Sequence, residues 1–140
     1  MPWFKHENMG GGYMPTLRVR LGRASANSQP IKFIVDSGAA KSLVPRGLVL
    51  SLIQDLAEEP EQPTGLLDAS GKDLMGLPVD FHLRLADAVD FPVLCERIWV
   101  ARGLRWSLLG QTWLEQVGAN LQNFAKGPRG RSFALYRCPW

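Results

Sequence analysis

Ile31-Lys32-Phe33-Ile34-Val35 is almost continuously apolar, and it stops at a carboxylate followed at once by a glycine turn, Asp36-Ser37-Gly38. A short apolar run bounded by turn residues predicts a strand buried on both faces, as at the centre of a barrel or sandwich. Such a strand delivers Asp36 to a fixed point at the end of the barrel. Alone, Asp-Ser-Gly is a common turn in which the Asp side chain accepts a backbone amide two residues on. The surrounding chain therefore decides what the carboxylate is for.

That chain reads mostly as short strands. Thr16-Leu17-Arg18-Val19-Arg20-Leu21 alternates apolar and polar residues, the signature of a half-buried strand, and residues 22–30 form a loop rich in Gly, Ser, Asn and Pro. Leu48, Leu50, Leu52, Ile53 and Leu56 cluster at helical spacing and predict a short helix, ended by the acidic, Pro-broken Glu58-Glu59-Pro60-Glu61-Gln62-Pro63. Leu66-Leu67 and Leu74 flank Asp68-Ala69-Ser70-Gly71, the composition of a hairpin tip. Val79, Phe81, Leu83 and Leu85 alternate along residues 77–85, and a further strand is expected within 91–100. Ser107-Leu108-Leu109-Gly110 leads into a second short helix over 111–117, closed by Gly118, and Phe133-Ala134-Leu135-Tyr136 predicts a closing strand.

With 140 residues, 46% of them apolar, the chain suits one domain with a small core. Residues 1–12, with Trp3-Phe4 and then Gly10-Gly11-Gly12, read as a flexible leader, and 13–140 as the domain. No apolar run nears the ~18 residues that span a bilayer, and no secretion signal is recognisable. The expectation is a cytoplasmic protein with no membrane partner.

Sixteen basic and 13 acidic residues are interspersed, for a net charge of +3 that names no partner. The basic run Lys126-Gly127-Pro128-Arg129-Gly130-Arg131 reads as a solvated turn before the last strand, and Trp99, Trp106 and Trp113 fall in apolar patterns, so no nucleic-acid partner is expected. Cys95 and Cys138 form no CxxC pair and read as reduced structural thiols, with a disulfide between them as the alternative. His6 and His82 are far apart, and neither a metal nor another cofactor is expected. His82, Asp73 and Glu115 read as solvated charges or polar groups.

Three ordered elements together resemble the retropepsins, the single-domain aspartic proteases of retroviruses, retrotransposons and some cellular proteins. Phe33-Ile34-Val35-Asp36-Ser37-Gly38-Ala39 is similar to their catalytic loop, Asp68 to Gly76 to their flap, and Ser107-Leu108-Leu109-Gly110-Gln111-Thr112-Trp113-Leu114 to the segment and helix that support the loop. The resemblance spans roughly residues 15–137. It implies an all-β, single-domain acid-protease barrel with one or two short helices, active as a homodimer, and an aspartic endopeptidase acting on a peptide or polyprotein substrate. Asp36 would be catalytic, Ser37 and Gly38 would support the loop, and Ala39, Ala40, Ala69, Ser70, Gly71 and Leu108 would contact substrate, with Leu43 as further pocket lining.

The chain holds one Asp-Ser-Gly and has no room for a second lobe, so a pair of carboxylates requires a second copy. Two positions depart from the family pattern: Gln111 stands where Arg is frequent, and Ala40 where viral members commonly carry Asp. These departures leave a second reading, a catalytically weak retropepsin fold kept for dimerisation or peptide binding.

Overall fold

The computed structural model describes the backbone of residues 3–8, 13–88, 91–117, 119–127 and 130–137, and the side chains of 14–88 and 91–117. In chain order the strands are β1 (Trp3–Asn8), β2 (Tyr13–Arg23), β3 (Ala26–Asn27), β4 (Ile31–Val35), β5 (Ser42–Pro45), β6 (Gln62–Leu67), β7 (Asp73–Leu85), β8 (Leu94–Ala101), β9 (Ser107–Leu109), β10 (Ala119–Gly127) and β11 (Gly130–Arg137); helix α1 (Gln111–Val117) lies between β9 and β10. The fold is all-β, as the sequence predicts.

Six strands close into a barrel in the order β2-β4-β9-β5-β8-β7 and back to β2. Closure depends on the length of β2, whose Thr16–Val19 portion pairs with β4 while Val19–Gly22 pairs with β7. Closing the sheet removes free edges around the core. Two pairings are parallel, β4 with β9 and β5 with β8, and they flank the single antiparallel pair Leu43 and Leu108 that joins β5 to β9. Parallel strands buried on both faces need the continuous apolar character that Ile31–Val35 supplies. Lys32 alone in that strand faces solvent.

The core follows the alternation of β7. Val79, Phe81, Leu83 and Leu85 point inward while Asp80, His82 and Arg84 are exposed. Phe33, Phe81, Leu21, Leu83, Ile98 and Leu109 fill the barrel. On α1, Trp113, Leu114 and Val117 are buried, and Trp113 stacks on Phe91 with ring centroids 6.3 Å apart. A buried indole of this kind stabilises the fold by about 3–5 kcal/mol relative to alanine.

Two expectations are corrected. Residues 48–56 form three short 3-10 turns, Arg46–Leu48, Leu50–Leu52 and Gln54–Leu56, in place of one α-helix. Val49 and Ile53 take φ near −128° and −125° and interrupt the run, and the bonds that form, such as Leu52 N–H to the Val49 carbonyl at 2.9 Å, close three-residue turns. Val49, Leu52 and Ile53 are the buried side chains here, a spacing that an α-helix or successive tight turns can both bury. Second, the stretch expected as a leader contains strand β1, which pairs with β11 through Trp3 and Ala134 and with β2 through Asn8 and Tyr13. The aromatic pair Trp3-Phe4 has the strand propensity this requires. The closing strand expected over 133–136 is present as β11, and it pairs antiparallel with β10, a strand the sequence did not single out. Gly118 and Cys138 lie outside the described residues.

Candidate active site

Asp36 follows the last residue of β4, and its backbone continues the parallel ladder: the Asp36 N–H donates to the Leu109 carbonyl at 2.9 Å. The chain then turns. The Ala39 N–H donates to the Asp36 carbonyl at 3.1 Å, and the Gly38 N–H donates to Asp36 Oδ1 at 3.0 Å. The carboxylate is thus held by its own turn, half-buried, with one oxygen bonded to a backbone amide. A Cβ at Gly38 would lie 3.3 Å from Asp36 Oδ1, close enough to press on the carboxylate.

The turn is stitched to the corner between β9 and α1. The Gln111 N–H donates to the Ala39 carbonyl at 2.7 Å, and the Gly110 N–H donates to Ser42 Oγ at 3.0 Å. Gly110 has no room for a side chain, because an added Cβ would meet the carbonyl oxygens of Ala39 and Lys41 at 2.6 Å. The expected support of the loop by the Leu108-Leu109-Gly110 segment therefore has a specific form, backbone against backbone at contact distance.

Sequence reasoning did not single out two side chains of this assembly. Lys41 Nζ donates to the Thr64 carbonyl of β6 and lies 5.0 Å from the Trp99 ring centre, which ties the loop to the base of the β6–β7 hairpin. Glu96, on β8, is 1% exposed. Its Oε1 accepts the Thr112 hydroxyl at 2.6 Å and the Ser42 hydroxyl at 3.4 Å, while Oε2 has no hydrogen-bond partner among the described residues. Burial pushes this carboxyl above the usual carboxylate range, and the two hydroxyls offset only part of that. The signal for Glu96 was its parity: it shares the inward phase of Ile98 and Val100.

The hairpin tip is built differently. Asp68 Oδ1 accepts the Ser70 N–H at 2.8 Å, the Ser70 hydroxyl at 2.6 Å and the Lys72 N–H at 3.0 Å. The Ser70 hydroxyl, followed by the Lys72 amide, holds the Asp68 carboxyl below its ordinary range. Gly71 has φ +82°, which favours glycine. Ala69, Ser70 and Gly71 are all exposed, and the tip's hydrogen bonds run within it.

Around the turn the structure groups Ser37, Gly38 and Ala40 with Gln111, Thr112 and Glu115 along a cleft of about 380 Å³. The two family departures, Ala40 and Gln111, thus share one wall. Ala39 is half-buried, and Leu108 is half-buried on β9. Leu43, expected as pocket lining, is 3% exposed, buried on the face of β5 that it shares with its half-buried partner Leu108. Glu115, Asp73 and His82 are exposed, as expected. Cys95 is a free thiol at the surface, not a buried structural one. Among the described residues no group of three or more His, Cys, Asp or Glu side chains could hold a metal ion, and no helix is long and apolar enough to cross a membrane.

A closed barrel that presents an Asp-Ser-Gly turn from the end of a buried strand, backed by a Leu-Leu-Gly corner, defines a retropepsin-like fold. Solved structures agree. The EIAV protease complexed with the inhibitor HBY-793 superposes with a TM-score of 0.54 at 17% identity, covering 80% of this chain and 95% of that one. A retropepsin-like aspartic protease from Rickettsia conorii gives a TM-score of 0.55 at 19% identity, covering 96% of this chain and 90% of that one. No protein-family model and no curated protein sequence matches the chain.

Proposed function

We propose that the chain is an aspartic endopeptidase whose working form is a twofold dimer, with Asp36 of each copy meeting across the axis. The observation that carries this reading is Asp36 itself, fixed at the barrel end by the Gly38 amide and the Leu109 carbonyl, on a fold shared with aspartic proteases. An isologous interface brings identical patches together, so one carboxylate per chain becomes two per site.

Two carboxylates ~3 Å apart repel by roughly 5 kcal/mol at an effective dielectric near 20, which separates their proton affinities by about 4 pKa units. As in aspartic-protease dyads generally, one proton is then shared between them. The ionised member takes a proton from a water attacking the scissile carbonyl, and the protonated member donates a hydrogen bond to the developing oxyanion.

Ser37 would contact its twin across the axis, and Gly38 would let substrate backbone approach. Ala39, Ala40 and Leu108 would line apolar subsites, with Ala69, Ser70 and Gly71 covering an extended peptide that adds as a strand. The test is cleavage of a mixed peptide library by wild type and Asp36→Asn across pH 3–7, with solution mass measured on both. Wild-type cleavage that the variant loses, at unchanged dimer mass, supports the reading. Equal cleavage by both overturns it, and a dimer that binds peptides without cleaving them favours the binding module.

A further inference from the structure

Glu96 is the one ionisable side chain among the buried polar residues described, and the proposed cleavage chemistry makes no use of it. Burying a carboxyl is costly unless its partners repay it, and here they are arranged in sequence. The Gly110 N–H donates to Ser42 Oγ, the Ser42 hydroxyl donates to Glu96 Oε1, and the Thr112 hydroxyl donates to the same oxygen. Ser42 ends the catalytic loop and opens β5, while Gly110 and Thr112 flank the start of α1. One acceptor atom on β8 therefore joins the two segments whose backbones touch at Gly110.

We propose that Glu96 is a positioning residue: through Ser42 and Thr112 it locks the β9–α1 corner against the 36–42 loop and so fixes where the Asp36 carboxylate points. This rests on the endopeptidase reading for its consequence in catalysis, but the lock itself is a property of the fold. Ser42 alone could not serve, because its oxygen already accepts from Gly110 and its proton needs a buried acceptor. A hydrophobic residue at 96, matching Ile98 and Val100, would strand the fully buried Ser42 hydroxyl and leave that of the exposed Thr112 to solvent.

The charged groups nearby are otherwise engaged or exposed. Lys41 and Arg97 line an adjoining cavity of about 250 Å³ with Glu96, Trp99, Thr112 and Gln116. Lys41 is bonded to the Thr64 carbonyl, and Arg97 donates to Asp80 of β7 at 3.0 Å. Cys95 on β8, His82 on β7 and Glu115 on α1 are exposed. Burial raises the Glu96 pKa, so the stability of the fold falls as pH rises through its folded-state pKa, whereas the two donated hydroxyl bonds favour the ionised carboxylate and persist on either side of it.

The experiment measures amide hydrogen-exchange protection of residues 36–42 and 110–112 in the Asp36→Asn background, where the dyad cannot titrate, for Glu96, Glu96→Gln and Glu96→Leu. A leucine that lowers protection by on the order of tenfold, with glutamine restoring it, supports the lock. Equal protection in all three overturns it, even if Glu96→Leu melts at a lower temperature. Should Glu96→Leu fail to fold, Thr112→Val gives the same reading: protection falls if the lock exists and is unchanged if it does not. With Asp36 present, a kcat lowered about tenfold by leucine at constant KM ties the lock to catalysis. A wild type that cleaves nothing overturns the endopeptidase reading and leaves the exchange result standing.

Discussion

The two regions expected to enclose a substrate are built in opposite ways. Below, the 36–42 loop is bonded outward to its neighbours, through Leu109, Gly110, Gln111 and Thr64, with a buried carboxyl behind it. Above, the 68–72 tip is bonded to itself, through Asp68, Ser70 and Lys72, and every residue in it is exposed. Local opening costs little free energy where contacts are few and hydrogen bonds are solvated, and much where they are buried and shared. The lower region is therefore the harder of the two to open, and the upper one the easier.

Substitutions should separate the two. The largest effect is expected from Asp36→Asn, which should lower the peptide cleavage rate by about a thousandfold or more while the melting temperature stays within a few degrees of wild type. Trp113→Ala, behind the loop, should cost about 3–5 kcal/mol in denaturant unfolding, because it empties the space beside Phe91. Gly110→Ala forces a methyl group against two carbonyl oxygens and should cost about 1–3 kcal/mol, lowering Tm by roughly 5–10 °C and cleavage with it.

At the tip the same change should behave differently. Gly71→Ala places a side chain at φ +82° with nothing within 4 Å, so about 1 kcal/mol of strain stays local, and a raised KM with little change in Tm is the expected result. A Tm loss matching that of Gly110→Ala would erase the contrast. The smallest effect is Asp68 itself. Its folded pKa is depressed, so the order it gives the tip is present above the ordinary carboxylate pKa and fades as pH falls through the lower folded value. Backbone shifts of Ser70 and Lys72 followed by NMR from pH 5 to 2 would show it.

Much of the lower region was legible in the sequence because its determinants are local. An apolar strand running into Asp-Ser-Gly, and an apolar pair running into a glycine and a helical segment, are patterns set by near neighbours. Alternation along Val79, Phe81, Leu83 and Leu85 likewise announced β7. What the sequence concealed depends on distant partners. Trp3–Asn8 becomes a strand only because β11 and β2 flank it, and a glycine-rich stretch after it reads as a linker. Val49, Leu52 and Ile53 are spaced to suit either an α-helix or successive tight turns, and packing chose the turns. Glu96 looks like a surface charge until β5 and α1 close over it, and the burial of Leu43 depends on strands distant in sequence. The roles of Ala40 and Gln111, side by side on the cleft, depend on a second chain and a substrate.

The central claim is that one carboxylate per chain is inert until a second copy brings another. The direct measurement is cleavage rate per chain against protein concentration, taken alongside solution mass at each concentration. The account predicts that the rate per chain rises in step with the dimer fraction and levels off when dimerisation is complete. A constant rate per chain in samples that stay monomeric throughout would contradict it.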